Sequence, residues 1–265
     1  MDDRTNRYPA AMGKADWGTD PKFFGPRHAH RERRIVRELR RRVPSPGKHL
    51  ECAAGVGSLA VALAQRGFEV VAADRSLRSL AEVRRRTAAS TRPASVLPVV
   101  AAIERLPFAD AAFTSATSAE TLEHVEDDRG AVRELSRVLA ADSWLVGTVP
   151  AGPDRWSDWD DWAGHLRRYT PATLGEAVGE AGGEVSIRRW GWPLLAVYDR
   201  LFLTPINRRR LRSSHGMAAD PVLRRVAKLG RSPVMVRSLS CLFDLDRVFD
   251  GLPWGVELLF AVRRS

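Results

Sequence analysis

Between residues 48 and 149 short apolar runs alternate with amphipathic stretches, and few architectures accept that pattern. Residues 48–53, 68–73, 95–101, 112–119 and 144–149 have the length and composition of strands, the third interrupted by Pro98. Residues 58–65, 76–88 and 128–139 have helical spacing, the last with Ala131, Val132, Leu135, Val138 and Leu139 on one face. Strands that alternate with helices predict a parallel sheet covered on both faces. Right-handed crossovers then make it doubly wound. Beyond Pro150, Thr170-Pro171 opens a further helix as N-cap and first residue, and residues 184–190 and 256–262 read as two more strands. The expected fold is α/β: a Rossmann-like, mostly parallel seven-stranded sheet. It carries an N-terminal helical arm and a helical insertion between the last two strands. The corresponding division is an arm at 1–26, a core at 27–193 and 253–265, and a cap at 194–252.

The chain has 265 residues, of which 44% are hydrophobic and 28% charged, which excludes a disordered or fibrous chain. No apolar run approaches the ~20 residues of a membrane span. The N-terminus is polar and lacks an apolar signal segment, so a cytoplasmic location is expected. Cys52 and Cys241 are too few for a disulfide scaffold. The net charge of +10 is concentrated. Residues 27–42 hold eight Arg against two Glu, and residues 194–252 hold ten Arg and one Lys against five Asp. Each stretch is either a solvated face or a surface for an anionic partner such as a phosphorylated substrate, a lipid headgroup or RNA.

The segment Glu51-Cys-Ala53-Ala-Gly55-Val-Gly57-Ser lies between a strand and a helix. There small residues permit a sharp turn and close approach of a ligand to the helix N-terminus. Asp74 ends the next strand, where a carboxylate can accept both hydroxyls of a ribose. Turn and acid together point to a nucleoside-bearing cofactor.

These residues resemble motif I of class I S-adenosylmethionine-dependent methyltransferases, in particular type 11-like members. Four later segments add to the resemblance: Leu106-Pro107-Phe108 with Asp110 and Phe113, Leu122-Glu123-His124-Val125 with Asp127, Arg137-Val138-Leu139, and Gly164-His165 followed by Arg167-Arg168-Tyr169-Thr170. The resemblance implies S-adenosyl-L-methionine as cofactor. Glu51, Ala53, Gly55 and Gly57 would form its turn, and Asp74 with Arg75 would lie at the ribose. Ile103 and Glu104 would lie near the adenine, and Ala119 and Glu120 beneath the methyl group. The chain departs from the family pattern at Ala53, Ala102, Thr114 and Asp142-Ser143, where the pattern has Gly, Asp, Asp and Gly-Gly.

A methyl sulfonium is already activated, so the protein must align the acceptor, exclude water and, for a hydroxyl or protonated amine, supply a base. Candidates are His165, His124, Asp161 and Tyr169, with Asp160, His28 and His30 behind them. His165 followed by Arg167-Arg168 would suit an anionic acceptor. No ligand pair shows metal-site spacing, so no metal is expected. Trp156, Trp159 and Trp162 either pack on the insertion or wall a substrate. The insertion is a lid, a dimer surface or an interfacial anchor. The expected partner is a small-molecule acceptor, in a monomer or a homodimer. RNA is disfavoured because no RNA-binding module accompanies the arginines. A methyltransferase fold that binds the cofactor but performs another reaction, or serves as a partner subunit, is the alternative.

Overall fold

The computed structural model describes residues 25–90, 95–212, 221, 225 and 232–265. Tyr8, Trp17, Phe23, Phe24 and the rest of the arm up to residue 24 lie outside them, as does most of 213–231 in the insertion. Seven strands run in chain order as β1 (Lys48–Cys52), β2 (Glu69–Asp74), β3 (Val96–Val100), β4 (Phe113–Ala119), β5 (Leu139–Pro150), β6 (Val185–Trp190) and β7 (Glu257–Arg263). They form one sheet in the order β3-β2-β1-β4-β5-β7-β6. All neighbours are parallel except β7, which is antiparallel to β5 and β6.

Pro98 does not break β3, because β3 is an edge strand and proline's missing N–H can face outward there. β5 begins directly at the end of its preceding helix, five residues earlier than the apolar run suggests. Asp142, at φ 61°, takes the left-handed conformation that glycine takes in the family pattern.

The helices are α1 (Pro26–Arg42), α2 (Ser58–Ala64), α3 (Leu77–Ala88), α4 (Asp128–Val138), α5 (Asp158–Ala163), α6 (Pro171–Val178), α7 (Leu194–Tyr198), α8 (Thr204–Arg212) and α9 (Pro233–Leu242). Side chains cap several starts: Ser76 accepts from Ser79 N–H, Asp127 from Gly130 N–H and Thr170 from Thr173 N–H. Two cores result, one on each face. Leu145, Val149, Leu258 and Phe260 meet Leu135, Val138, Leu174 and Val178 on one side. Val146, Leu259 and Ala261 meet Ile35, Leu39, Leu63, Trp190 and Phe243 on the other. The insertion is thus rooted in the second core through Leu195 and Phe243.

His49 on β1 is fully buried, with Nδ1 2.8 Å from Ser115 Oγ and Nε2 2.9 Å from Thr117 Oγ1. Burial pushes its pKa down to about 3. The folded state therefore keeps it neutral while the unfolded chain takes a proton below ~6.5, so stability falls as pH falls through that window. Roughly 1.5 kcal/mol should be lost from this group between pH 6.5 and 5. Urea unfolding of the wild type and His49→Gln at both values checks this, and equal pH slopes for the two would exclude the assignment.

Candidate active site

The sheet reverses its winding between β1 and β4, so the crevice for a ligand lies beyond the carboxyl ends of those strands. Two non-glycine residues with left-handed backbone mark this edge: Ala53, at φ 58°, follows β1, and Glu120, at φ 52°, follows β4. Each costs about 1 kcal/mol, and such strain clusters at ligand sites. Ala53 stands where the family pattern has glycine and still takes the left-handed conformation. Gly57, at φ 74°, turns the chain into α2, and a Cβ there would lie 2.7 Å from Val83 Cγ2 on α3. Asp74 binds the turn directly: its Oδ2 accepts from Gly55 N–H at 2.7 Å and its Oδ1 from Ser76 N–H at 2.8 Å. The acid and the turn are therefore one unit.

Arg75 is exposed beside Asp74, and Glu51 is buried at the end of β1. Ile103 is buried in the first core and Glu104 is exposed. A surface depression lined by Val100, Ala101, Arg105, Leu106, Pro107 and Phe108 adjoins them. Ala119 and Glu120 stand at the crevice edge of β4. Thr114 is structural, its hydroxyl donating to the Lys48 carbonyl at 3.1 Å.

Behind Glu120 lies a cluster of charges drawn from four distant segments. Glu120 Oε1 accepts from the Thr148 hydroxyl at 3.0 Å, and Oε2 lies 3.2 Å from Arg31 Nη1. Glu257, completely buried at the start of β7, pairs with Arg27, whose Nε is 3.2 Å from Asp199 Oδ2. Burial and the neighbouring Glu120 push the Glu257 carboxyl up to about 8, whereas Arg31 and Arg27 pull Glu120 below the usual carboxylate range. Glu123 is also fully buried and raised, by burial and by Glu120. Sequence reasoning did not select Arg27, Arg31, Asp199, Glu123 or Glu257. The four-residue spacing of Arg27 and Arg31, which puts them on one helix face, was the available signal.

The structure brings His124 and His165 together, their rings edge to face at 4.8 Å. His124 Nδ1 is 3.2 Å from the Gly164 carbonyl, and His165 Nδ1 is 2.8 Å from Asp160 Oδ1. Asp160 also accepts from Arg168 at 2.7 and 3.0 Å and from Ser157, which holds its carboxyl well below the usual range.

The other expected bases are engaged elsewhere. The Tyr169 hydroxyl donates to Asp128 Oδ2 at 2.7 Å inside the core, which raises its pKa far above the usual phenol value. Asp161 Oδ1 accepts from Trp156 Nε1 at 3.0 Å. His28 contacts Glu32 and Ser58, and His30 is buried against Ser240. The expected cationic pair beside His165 is corrected: Arg168 is neutralised by Asp160, and Arg167 lies 2.8 Å from Asp128 Oδ2. Most of the basic face of α1 is likewise consumed internally. Arg33 and Arg34 pair with Asp244 and Asp250 of the insertion, and Arg41 and Arg42 with Glu38. The three tryptophans do not form one wall. Trp156 precedes α5, while Trp159 and Trp162 pack together under Arg210, whose guanidinium carbon is 4.8 Å from the Trp162 ring centre.

The family model described as a methyltransferase domain matches residues 50–147. Residues 50–147 form a methyltransferase domain. Among curated protein sequences none matches it. Solved structures give the same fold at low identity. A protein from Galdieria sulphuraria described as a sarcosine dimethylglycine methyltransferase is 15% identical, with TM-score 0.63, covering 90% of this chain and 86% of that one. A phosphoethanolamine N-methyltransferase 2 from Haemonchus contortus, solved with S-adenosyl-L-methionine, is 14% identical, with TM-score 0.61, covering 96% of this chain and 61% of that one. The [4+2]-cyclase SpnF is 19% identical, with TM-score 0.59, covering 88% and 80%. The cofactor of a methyltransferase domain is S-adenosylmethionine, and at the switch point of this sheet the Gly55 turn and Asp74 are joined by a hydrogen bond. The matched residues of the methyltransferase domain end on β5, so Arg27, Arg31 and Glu257 lie outside them.

No described helix is long and apolar enough to cross a membrane.

Proposed function

We propose that this protein transfers the methyl group of S-adenosylmethionine to an oxygen or nitrogen of a small-molecule acceptor. The observation that carries the reading is the direct bond from Gly55 to Asp74 at the switch point of the sheet, with a buried polar cluster immediately beyond Glu120. Bound there, the cofactor supplies the activated methyl group. In this reading Asp74 accepts the ribose hydroxyls, Arg75 stands beside it, and Glu51 supports the turn. Ile103 and Glu104 flank the adenine, and Ala119 and Glu120 line the cofactor below its sulfur.

The acceptor enters on the side of Glu120, Glu123, His124 and His165. The paired arginines favour an acceptor recognised through hydroxyl or amine groups. A phosphorylated one would have to displace Glu120 from Arg31. Exclusion of water falls to the insertion, whose Arg210 reaches Trp162.

Asp74→Ala should weaken cofactor binding by roughly 1–3 kcal/mol, about 5- to 150-fold, because hydroxyls and the Gly55 N–H lose their acceptor. Asp74→Asn keeps one acceptor oxygen and should lose less. Calorimetric titration with S-adenosylmethionine reads both, and unaltered affinity in Asp74→Ala would remove the site assignment. Release of S-adenosylhomocysteine together with a methylated acceptor separates methyl transfer from a cofactor-binding fold with other chemistry.

A further inference from the structure

We infer that Glu123, His124 and His165 form a site for one divalent first-row transition-metal ion. One ligand atom from each lies within 4.8 Å of the other two. Glu123 is completely buried, and neither of its carboxylate oxygens has a hydrogen-bond partner among the described residues. An unsatisfied buried carboxylate is costly, and the cost is removed by a bound proton or, with two imidazoles beside it, by a cation.

The tautomers of the two imidazoles suit this role. Asp160 can only accept, so His165 donates from Nδ1 and carries its lone pair on Nε2. His124 donates from Nδ1 to the Gly164 carbonyl and likewise carries its lone pair on Nε2. A carboxylate or backbone carbonyl behind each imidazole is the support that metal-bound histidines have. Asp160 is itself fixed by Arg168 and Ser157, so the support is rigid.

Two imidazoles and one carboxylate suit ions of the zinc, cobalt or iron(II) class rather than calcium or magnesium, which take oxygen ligands. Bond lengths of ~2.1 Å place neighbouring ligand atoms ~3–3.5 Å apart, so the three side chains close by about 1 Å around the ion. His124 ends the short helix Leu122–His124 and His165 follows α5, where such an adjustment is local. With three protein ligands the ion keeps open positions for an acceptor oxygen. That use of the ion rests on the methyl-transfer reading, whereas the site itself does not.

The test is a titration of the chelator-treated full chain with Co²⁺ and then Zn²⁺, without cofactor. One equivalent of Co²⁺ should bind, produce visible d–d absorption and be displaced by Zn²⁺. Glu123→Gln and His165→Ala should each weaken binding at least 10-fold, with folding verified by circular dichroism, while His28→Ala leaves it unchanged. Two variants on different elements keep the result readable if one fails to fold. Absence of stoichiometric binding, or the same affinity in both folded variants, overturns the proposal. Because S-adenosylmethionine plays no part in the titration, failure of the cofactor assignment would appear separately, in the Asp74→Ala measurement.

Discussion

Replacing Arg27 with methionine is expected to destabilise the protein by about 3 kcal/mol at pH 8.5, and by less at pH 6, where Glu257 holds a proton. Arg27 faces both Asp199 and the fully buried Glu257, with Glu120 close behind. Removing one partner of a buried pair leaves an uncompensated charge, which costs about 3–5 kcal/mol; the carboxyl can relieve part of this by taking up a proton. Glu257 already has a raised folded-state pKa of about 8. A raised carboxyl binds its proton more tightly in the folded state than in the unfolded chain. Its contribution is therefore present at low pH and lost as pH rises from ~4.3 through that value. Without Arg27 the folded carboxyl rises further, and the loss extends to higher pH. Urea unfolding at pH 6 and 8.5 checks the sign. A cost under 1 kcal/mol at pH 8.5, or one that does not grow with pH, would show that Arg27 is not the principal counterion. Arg27→Lys, which keeps the charge without the fork, should fall between the two.

Gly147→Ala should be at least as severe, for a steric reason. Gly147 lies on β5 opposite Ser118 of β4 and Phe260 of β7. A Cβ there would sit 2.1 Å from the Ser118 carbonyl oxygen and 2.5 Å from Phe260 Cζ. The ring can shift within the core, but the carbonyl belongs to the central ladder and cannot. Overpacking of this kind costs about 3 kcal/mol or more, which lowers the melting temperature by roughly 6–12 °C for a domain of this size. Gly175→Ala is the matched control. On α6 its Cβ would meet nothing nearer than Ile187 Cδ1 at 3.7 Å, and alanine is the better helix former by roughly 1 kcal/mol. Scanning calorimetry of the two variants should give shifts of opposite sign. A Gly147→Ala variant that melts with the wild type would mean that β4 and β5 can separate to admit the methyl group.

Much of the architecture was legible because it is written in local spacing. Alternating strand and helix periods announce a parallel sheet, and Thr170-Pro171 caps its helix where expected. The turn at Gly55 and the acid at Asp74 stood out as a pair, and they bond to each other. What misled was context. Pro98 reads as a breaker until β3 is known to be an edge strand. The arginines of α1 read as a solvated or anion-binding face until the acids of the insertion are seen against them. Tyr169 and Asp161 read as bases until their bonds to Asp128 and Trp156 are known.

The linear order of residues was enough for the doubly wound sheet and the cofactor turn, because periodicity, capping and glycine geometry act over a few neighbours. The polar cluster beyond Glu120 was decided only by the tertiary structure. Arg27, Glu123, His165 and Glu257 come from four separate segments, and no spacing rule links residues that only the packing of α1 and the pairing of β7 bring together. Burial then sets the charges of these groups, because the energy of a carboxylate depends on the water and counterions left around it, not on its neighbours along the chain.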